Sequence, residues 1–116
     1  LGATINMDGT SIYLAVIGLS LARAYGVEVP AASMLPLILT IIMLSMGAPG
    51  VPGSGLVCLG IVLEQLHVPL EALGLIMALS PLIEMFNTLS NVTGDMAATL
   101  VVSRSEGLVD TQIYNQ

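Results

Sequence analysis

Polar and apolar positions alternate at the start of the chain and then stop alternating. In ATINMDGTS, residues 3–11, polar side chains fall at Thr4, Asn6, Asp8 and Thr10, which is the period of a strand. Residues 11–27, SIYLAVIGLSLARAYGV, hold one charge, Arg23, close enough to the end to reach an interface. With the preceding segment added, they predict a helix of about membrane length. GVEVP, residues 26–30, then breaks the pattern with the composition of an aqueous loop.

Residues 31–46 are helical in length and uncharged, yet short for a full span. GAPGVPGSG, residues 47–55, packs Gly47, Gly50, Gly53, Gly55, Pro49 and Pro52 into one short stretch, and no continuous helix survives that density. Apolar character resumes at 56–68 until Glu64 and His67, and Pro69 closes it. Two short arms around a Gly/Pro tip predict a re-entrant hairpin, because backbone exposed at membrane depth must line a cavity or be buried in protein. Two soluble core helices joined by a loop give the same pattern. The last apolar segment, 71–103, would run to about 50 Å as one helix, against about 30 Å for a bilayer core. It is therefore tilted, kinked at Pro81, or protruding, and a polar tail follows.

Composition agrees with a membrane protein: 55% of the 116 residues are hydrophobic and 9% charged, and the mean hydropathy is +0.95. Two basic residues, Arg23 and Arg104, are too few for a nucleic-acid surface. The single cysteine, Cys58, has no partner for a disulfide or a thiolate metal pair and reads as packing. His67, beside Pro69, reads as an interfacial residue without a catalytic role. A chain that opens on Leu1 and is apolar from its first residue reads as part of something longer.

The net charge of −6 matters for where it falls. Ser80, Glu84, Asn87, Thr88, Asn91 and Asp95 are spaced so that a helix carries them as one stripe about three turns long. A carboxylate at the bilayer centre costs at least about 2.5 kcal/mol, so the stripe faces protein or water. Hydroxyl and amide stripes also glue membrane helices together, but packing rarely needs two carboxylates. Asp8 adds a third. Together Asn6, Asp8, Asn91 and Asp95 offer hard oxygen donors, which suit a small alkali or alkaline-earth cation and not zinc. The Gly/Pro tip lacks the lysine of a phosphate-binding loop, while a helix starting near Pro52–Gly55 would aim free N–H groups at an anion such as a carboxylate.

Three motifs in order, NMDGT at 6–10, GAPGVPGSG at 47–55 and NVTGD at 91–95, resemble the glutamate transporter family of dicarboxylate/amino acid:cation symporters. The resemblance covers essentially the whole chain. It implies an all-α membrane protein: residues 1–27 as transmembrane helix 7, unwound around Thr4 to Thr10; 31–68 as re-entrant hairpin 2; 71–104 as the long helix 8; and 105–116 as a polar tail. It also implies a multi-pass protein of the plasma or inner membrane, trimeric at full length, with further helices and a first hairpin outside this chain.

By the same resemblance, Gly2, Asn6, Asn91 and Asp95 would hold one sodium ion, with Asp8 and Asn6 contributing to another. Thr4, Ser45, Met46 and Ala48 would hold a third through backbone carbonyls. Substrate would meet Thr10, the tip at Gly50, Val51 and Gly55, and the stripe of Glu84, Asn87, Thr88 and Asn91. Two positions depart from the family pattern. Asn87 stands where members carrying acidic substrates look to have arginine, and Glu84 stands where aspartate commonly meets the substrate ammonium. Nothing then balances a second carboxylate, so the expected substrate is a neutral amino acid, co-transported with sodium. The alternative is an acidic amino acid or C4-dicarboxylate, sodium- or proton-coupled. An intramembrane hydrolase lacks any HExxH or GxSxG motif, and a soluble helical binding module would be extracted without detergent.

Overall fold

The computed structural model describes residues 5–115, and these form helices joined by short turns, with no strand among them. Helix α1 spans Asp8–Ala24, α2 Ala31–Gly47, α3 Ser54–Gln65, α4 Leu73–Met77 behind a 3-10 turn at Leu70–Ala72, α5 Ser80–Ser105, and the short α6 Thr111–Tyr114. The alternating start is therefore not a strand. Asn6 and Met7 lie outside helix, but Asp8 to Thr10 already belong to α1, and the Ser11 N–H donates to the Met7 carbonyl at 3.0 Å. The non-helical stretch is narrower than expected, because Asp8 sits in the first helical turn, where a carboxylate is favoured.

Three helices stop in the same way. A residue in the left-handed region follows α1, α3 and α5, at Gly26, His67 and Gly107. The N–H of the next residue reaches back to the carbonyl of Ala22, Leu63 or Ser103 at 2.8 to 2.9 Å. His67 is thus the exposed turn residue that ends α3. Residues 48–53, the Gly/Pro tip, turn the chain from α2 into α3, and Gly53 takes φ 86° as the N-cap of α3.

The core lies between α1, α2 and α3. Leu14, Leu59, Val62 and Leu63 are fully buried, with Leu21, Leu37 and Ile41 around them. Close approach is built in at Gly18, where an added Cβ would lie 2.8 Å from Val62 Cγ1. Cys58 belongs to this core.

The 71–103 segment is not continuous. It breaks at Ala78 and Leu79, and the pair Leu70–Met77 and Ser80–Ser105 is bent by 82°. Pro81 sits in the first turn of α5, where its missing N–H costs no helical bond. No single helix among the described residues is long and apolar enough to cross a membrane, but this bent pair passes that test together. The outer faces of α2 and α5 are strongly apolar: Met43, Met85 and Phe86 are about 70% exposed.

Helix α5 crosses α1 at glycine. A Cβ at Gly9 would meet the Asn87 carbonyl oxygen at 2.6 Å and its Cα at 2.7 Å. Both are backbone atoms and cannot rotate away. Gly9→Ala is therefore expected to push the helices apart and to cost about 1–3 kcal/mol. That should appear as a lower Tm of the detergent-solubilised protein, and an unchanged Tm would count against the crossing.

Candidate functional site

The crossing of α1 and α5 places Asn91 at the centre of a small polar network. Its Oδ1 accepts the Gly9 N–H at 2.8 Å, and its Nδ2 donates to Met7 Sδ at 3.2 Å. Thr10 Oγ1 donates to the same sulfur at 3.7 Å. A thioether is a weak acceptor, so Asn91 and Thr10 give up little by turning to a better partner such as a carboxylate.

One turn further along α5, Asn6 and Asp8 close over Gly94. A Cβ there would stand 2.5 Å from a terminal atom of the Asn6 amide and 2.6 Å from Asp8 Oδ2, so only glycine leaves room for both. The Asn6 amide fits best with its oxygen accepting the Asp95 backbone N–H at 2.8 Å and its nitrogen donating to Asp8 Oδ2 at 3.3 Å. That orientation turns the Asn6 oxygen toward the Asn91 carbonyl and Asp95. The result is an oxygen-rich corner beside the Asp8 carboxylate, which suits a small hard cation. Among the described residues no set of three His, Cys, Asp or Glu forms, so amide and carbonyl oxygens would have to complete any shell.

The second feature is a cavity of about 370 Å³ between the tip, the start of α1 and α5. Every residue expected to meet substrate lines it: Thr10, Gly50, Val51, Gly55, Glu84, Asn87, Thr88 and Asn91. Ala48 and Asp95, expected as cation ligands, line it too. Among the described residues Glu84 and Asp95 are its ionisable groups, and none that line it is basic. Asn87 is half-buried, Thr88 exposed, and the Thr88 hydroxyl donates to the Glu84 carbonyl at 2.8 Å.

The other expected cation ligands are placed apart. Ser45 and Met46 lie in the last turn of α2, away from the cavity lining, and the buried Ser45 hydroxyl donates to the Ile42 carbonyl at 2.9 Å. Carbonyls in that last turn lack helical partners and carry the negative end of the helix dipole. Gly2 and Thr4 lie outside the described residues. Met7, Ser54, Pro49, Pro52 and Val92 line the cavity without having been expected there. Met7 could have been found only through its place inside NMDGT, since an apolar side chain gives no polar signal.

A family model described as the sodium:dicarboxylate symporter family matches residues 1–105. Similar proteins include excitatory amino acid transporter 3 of Mus musculus, 40% identical over 89% of this chain and 20% of its own length. The C4-dicarboxylate transport protein of Deinococcus radiodurans is 38% identical over 94% of this chain and 25% of its own. The proton/sodium-glutamate symport protein of Geobacillus stearothermophilus is 32% identical over 91% and 25%. The chain thus spans a fifth to a quarter of the length of these relatives.

Proposed function

Because this chain belongs to the sodium:dicarboxylate symporter family, a family of membrane transporters and not of enzymes, we propose that it supplies the binding core of a sodium-coupled symporter for a neutral amino acid. One observation carries this reading: among the described residues the cavity is lined by two carboxylates and no basic side chain. A neutral amino acid brings one ammonium for Glu84 and one carboxylate for the tip N–H groups and Asn91. A second substrate carboxylate would face Asn87, which can donate a hydrogen bond but cannot balance a charge.

Sodium ions would sit among the oxygens of Asn6, Asp8, Asn91 and Asp95, with Gly2 joining one of the sets. A further ion would be shared between Thr4 and the carbonyls of Ser45, Met46 and Ala48 at the end of α2. Cation binding offsets the charge of Asp8 and Asp95, and substrate offsets that of Glu84. The residue 48–53 tip then closes over a neutralised site, so ion and substrate each favour the closed form through differential affinity. Alternating access, a place in the cell membrane as a multi-pass protein, lipid against the apolar faces of α2 and α5, and a trimeric assembly belong to the same proposal.

The second reading is an acidic amino acid or C4-dicarboxylate, sodium- or proton-coupled. It is favoured by the names of the relatives, which include dicarboxylate and glutamate carriers. Uptake competition in the full-length protein separates the two. Sodium-dependent uptake inhibited by alanine or serine is expected; strong glutamate or succinate transport with weak alanine or serine transport would overturn the neutral-substrate reading.

A further inference from the structure

Two hydrogen-bond donors converge on the sulfur of Met7. Asn91 Nδ2 lies 3.2 Å from Sδ and Thr10 Oγ1 3.7 Å, and among the described residues no other methionine sulfur accepts a hydrogen bond. The main chain at Met7 is held as well: its carbonyl accepts the Ser11 N–H at 3.0 Å and the Ser11 hydroxyl at 3.2 Å. The side chain is therefore tethered at its base and free to rotate at its end. Met7 is half-buried and lines the cavity of about 370 Å³, which gives a small polar reagent a route to the sulfur from water. Met43 and Met85, by contrast, stand on the apolar outer faces of α2 and α5.

We propose that Met7 is an oxidation site: a hydroperoxide entering the cavity converts its thioether to the sulfoxide, and the new oxygen takes the Asn91 and Thr10 donors for itself. The sulfur lone pair attacks the nearer peroxide oxygen, and the S–O bond forms as the O–O bond breaks. The proton of the transferred oxygen passes to the departing one, which leaves as water when the oxidant is hydrogen peroxide. Sulfur gives up two electrons and the peroxide takes them. Asn91 and Thr10 assist by donating to the departing oxygen, where negative charge develops. A thioether holds these donors weakly, whereas the sulfoxide is polar and accepts strongly. Thr10 is buried, so its hydroxyl finds little water as an alternative. The oxidised side chain is attached to the site and competes for both donors at high effective concentration. That this blocks an amino acid carboxylate rests on the symport reading; the oxidation itself does not.

The full-length protein in proteoliposomes, with Cys58→Ala to remove the thiol of this segment, is treated with hydrogen peroxide, digested and weighed peptide by peptide. The Met7 peptide is expected to gain one oxygen atom several-fold faster than those carrying Met43 or Met85, and serine uptake should fall in step with it. Methionine sulfoxide reductase should restore uptake as it removes that oxygen. Dithiothreitol, which reverses disulfides and sulfenic acids but not sulfoxides, should restore nothing. Met7→Leu should keep most of its own starting uptake through the same dose, whatever that starting rate is.

Oxidation of Met7 no faster than of Met43 and Met85 would overturn the site. Full oxidation of Met7 with uptake unchanged would overturn the capture of the two donors, as would recovery of uptake with dithiothreitol alone. Should Met7→Leu fail to fold, reversal by the reductase in the protein that retains Met7 decides the matter. Absence of sodium-dependent serine uptake before any treatment, with preferential oxidation of Met7 intact, would overturn the symport reading while supporting the oxidation site.

Discussion

Asp95→Asn is expected to lower apparent sodium affinity by about a hundredfold, corresponding to about 3 kcal/mol, the range measured when one partner of a close charge pair is removed. The substitution keeps shape and size. Asp95 contributes its backbone N–H to the Asn6 amide oxygen at 2.8 Å, and the main chain is unchanged by the swap. What disappears is the negative charge of one of the two carboxylates that line the cavity. Substrate uptake measured against sodium concentration should therefore shift to much higher sodium with little change in protein yield or Tm. A variant with the parent's sodium dependence would remove Asp95 from any ion site. Because Asp95 also lines the cavity, a modest change in amino acid affinity at saturating sodium accompanies the main effect.

Asn87→Arg is expected to move the substrate range toward acids. Position 87 lines the cavity one turn from both Glu84 and Asn91, and a guanidinium there presents a planar fork to a second carboxylate. Hydrogen bonds to charged groups contribute about 1.5–3 kcal/mol each, so glutamate or succinate uptake should rise by about tenfold to a hundredfold relative to serine. Glu84 lies three residues away on the same helix face and competes for the new arginine, which weakens the ammonium site and lowers serine affinity. Opposite shifts for the two substrates are the signature. A variant that loses serine transport and gains no acidic substrate would show that position 87 does not set the substrate charge.

The parts of this site that were legible in the sequence share a physical basis: local geometry fixes them. Glu84, Asn87, Thr88, Asn91 and Asp95 fall on one face because any helix places residues three and four apart together. The tip falls at 48–53 because glycine and proline at that density end helices regardless of surroundings. The break at Ala78 and Leu79 was obscured by hydropathy, which runs unbroken through LGLIMALSPL and carries no sign of direction. Pro81 marked the place without specifying an 82° turn. Alternation in ATINMDGTS reflects which side chains are polar and not where the backbone leaves the helix, which is why Asp8 to Thr10 can be helical within it. Contacts such as Gly53 to Glu84 and Asn91 to Met7 join residues far apart in the chain. No periodicity encodes them.

The meeting of Gly9 with Asn87 has a consequence for how such a site can change over generations. Asn87 meets α1 through main-chain atoms, which every amino acid possesses. Its side chain can then be exchanged by a single codon without retuning the joint that brings the two helices together. The packing of α1 on α5 and the chemistry that position 87 offers the cavity are therefore set by different atoms, and a substitution can alter the second while leaving the first in place.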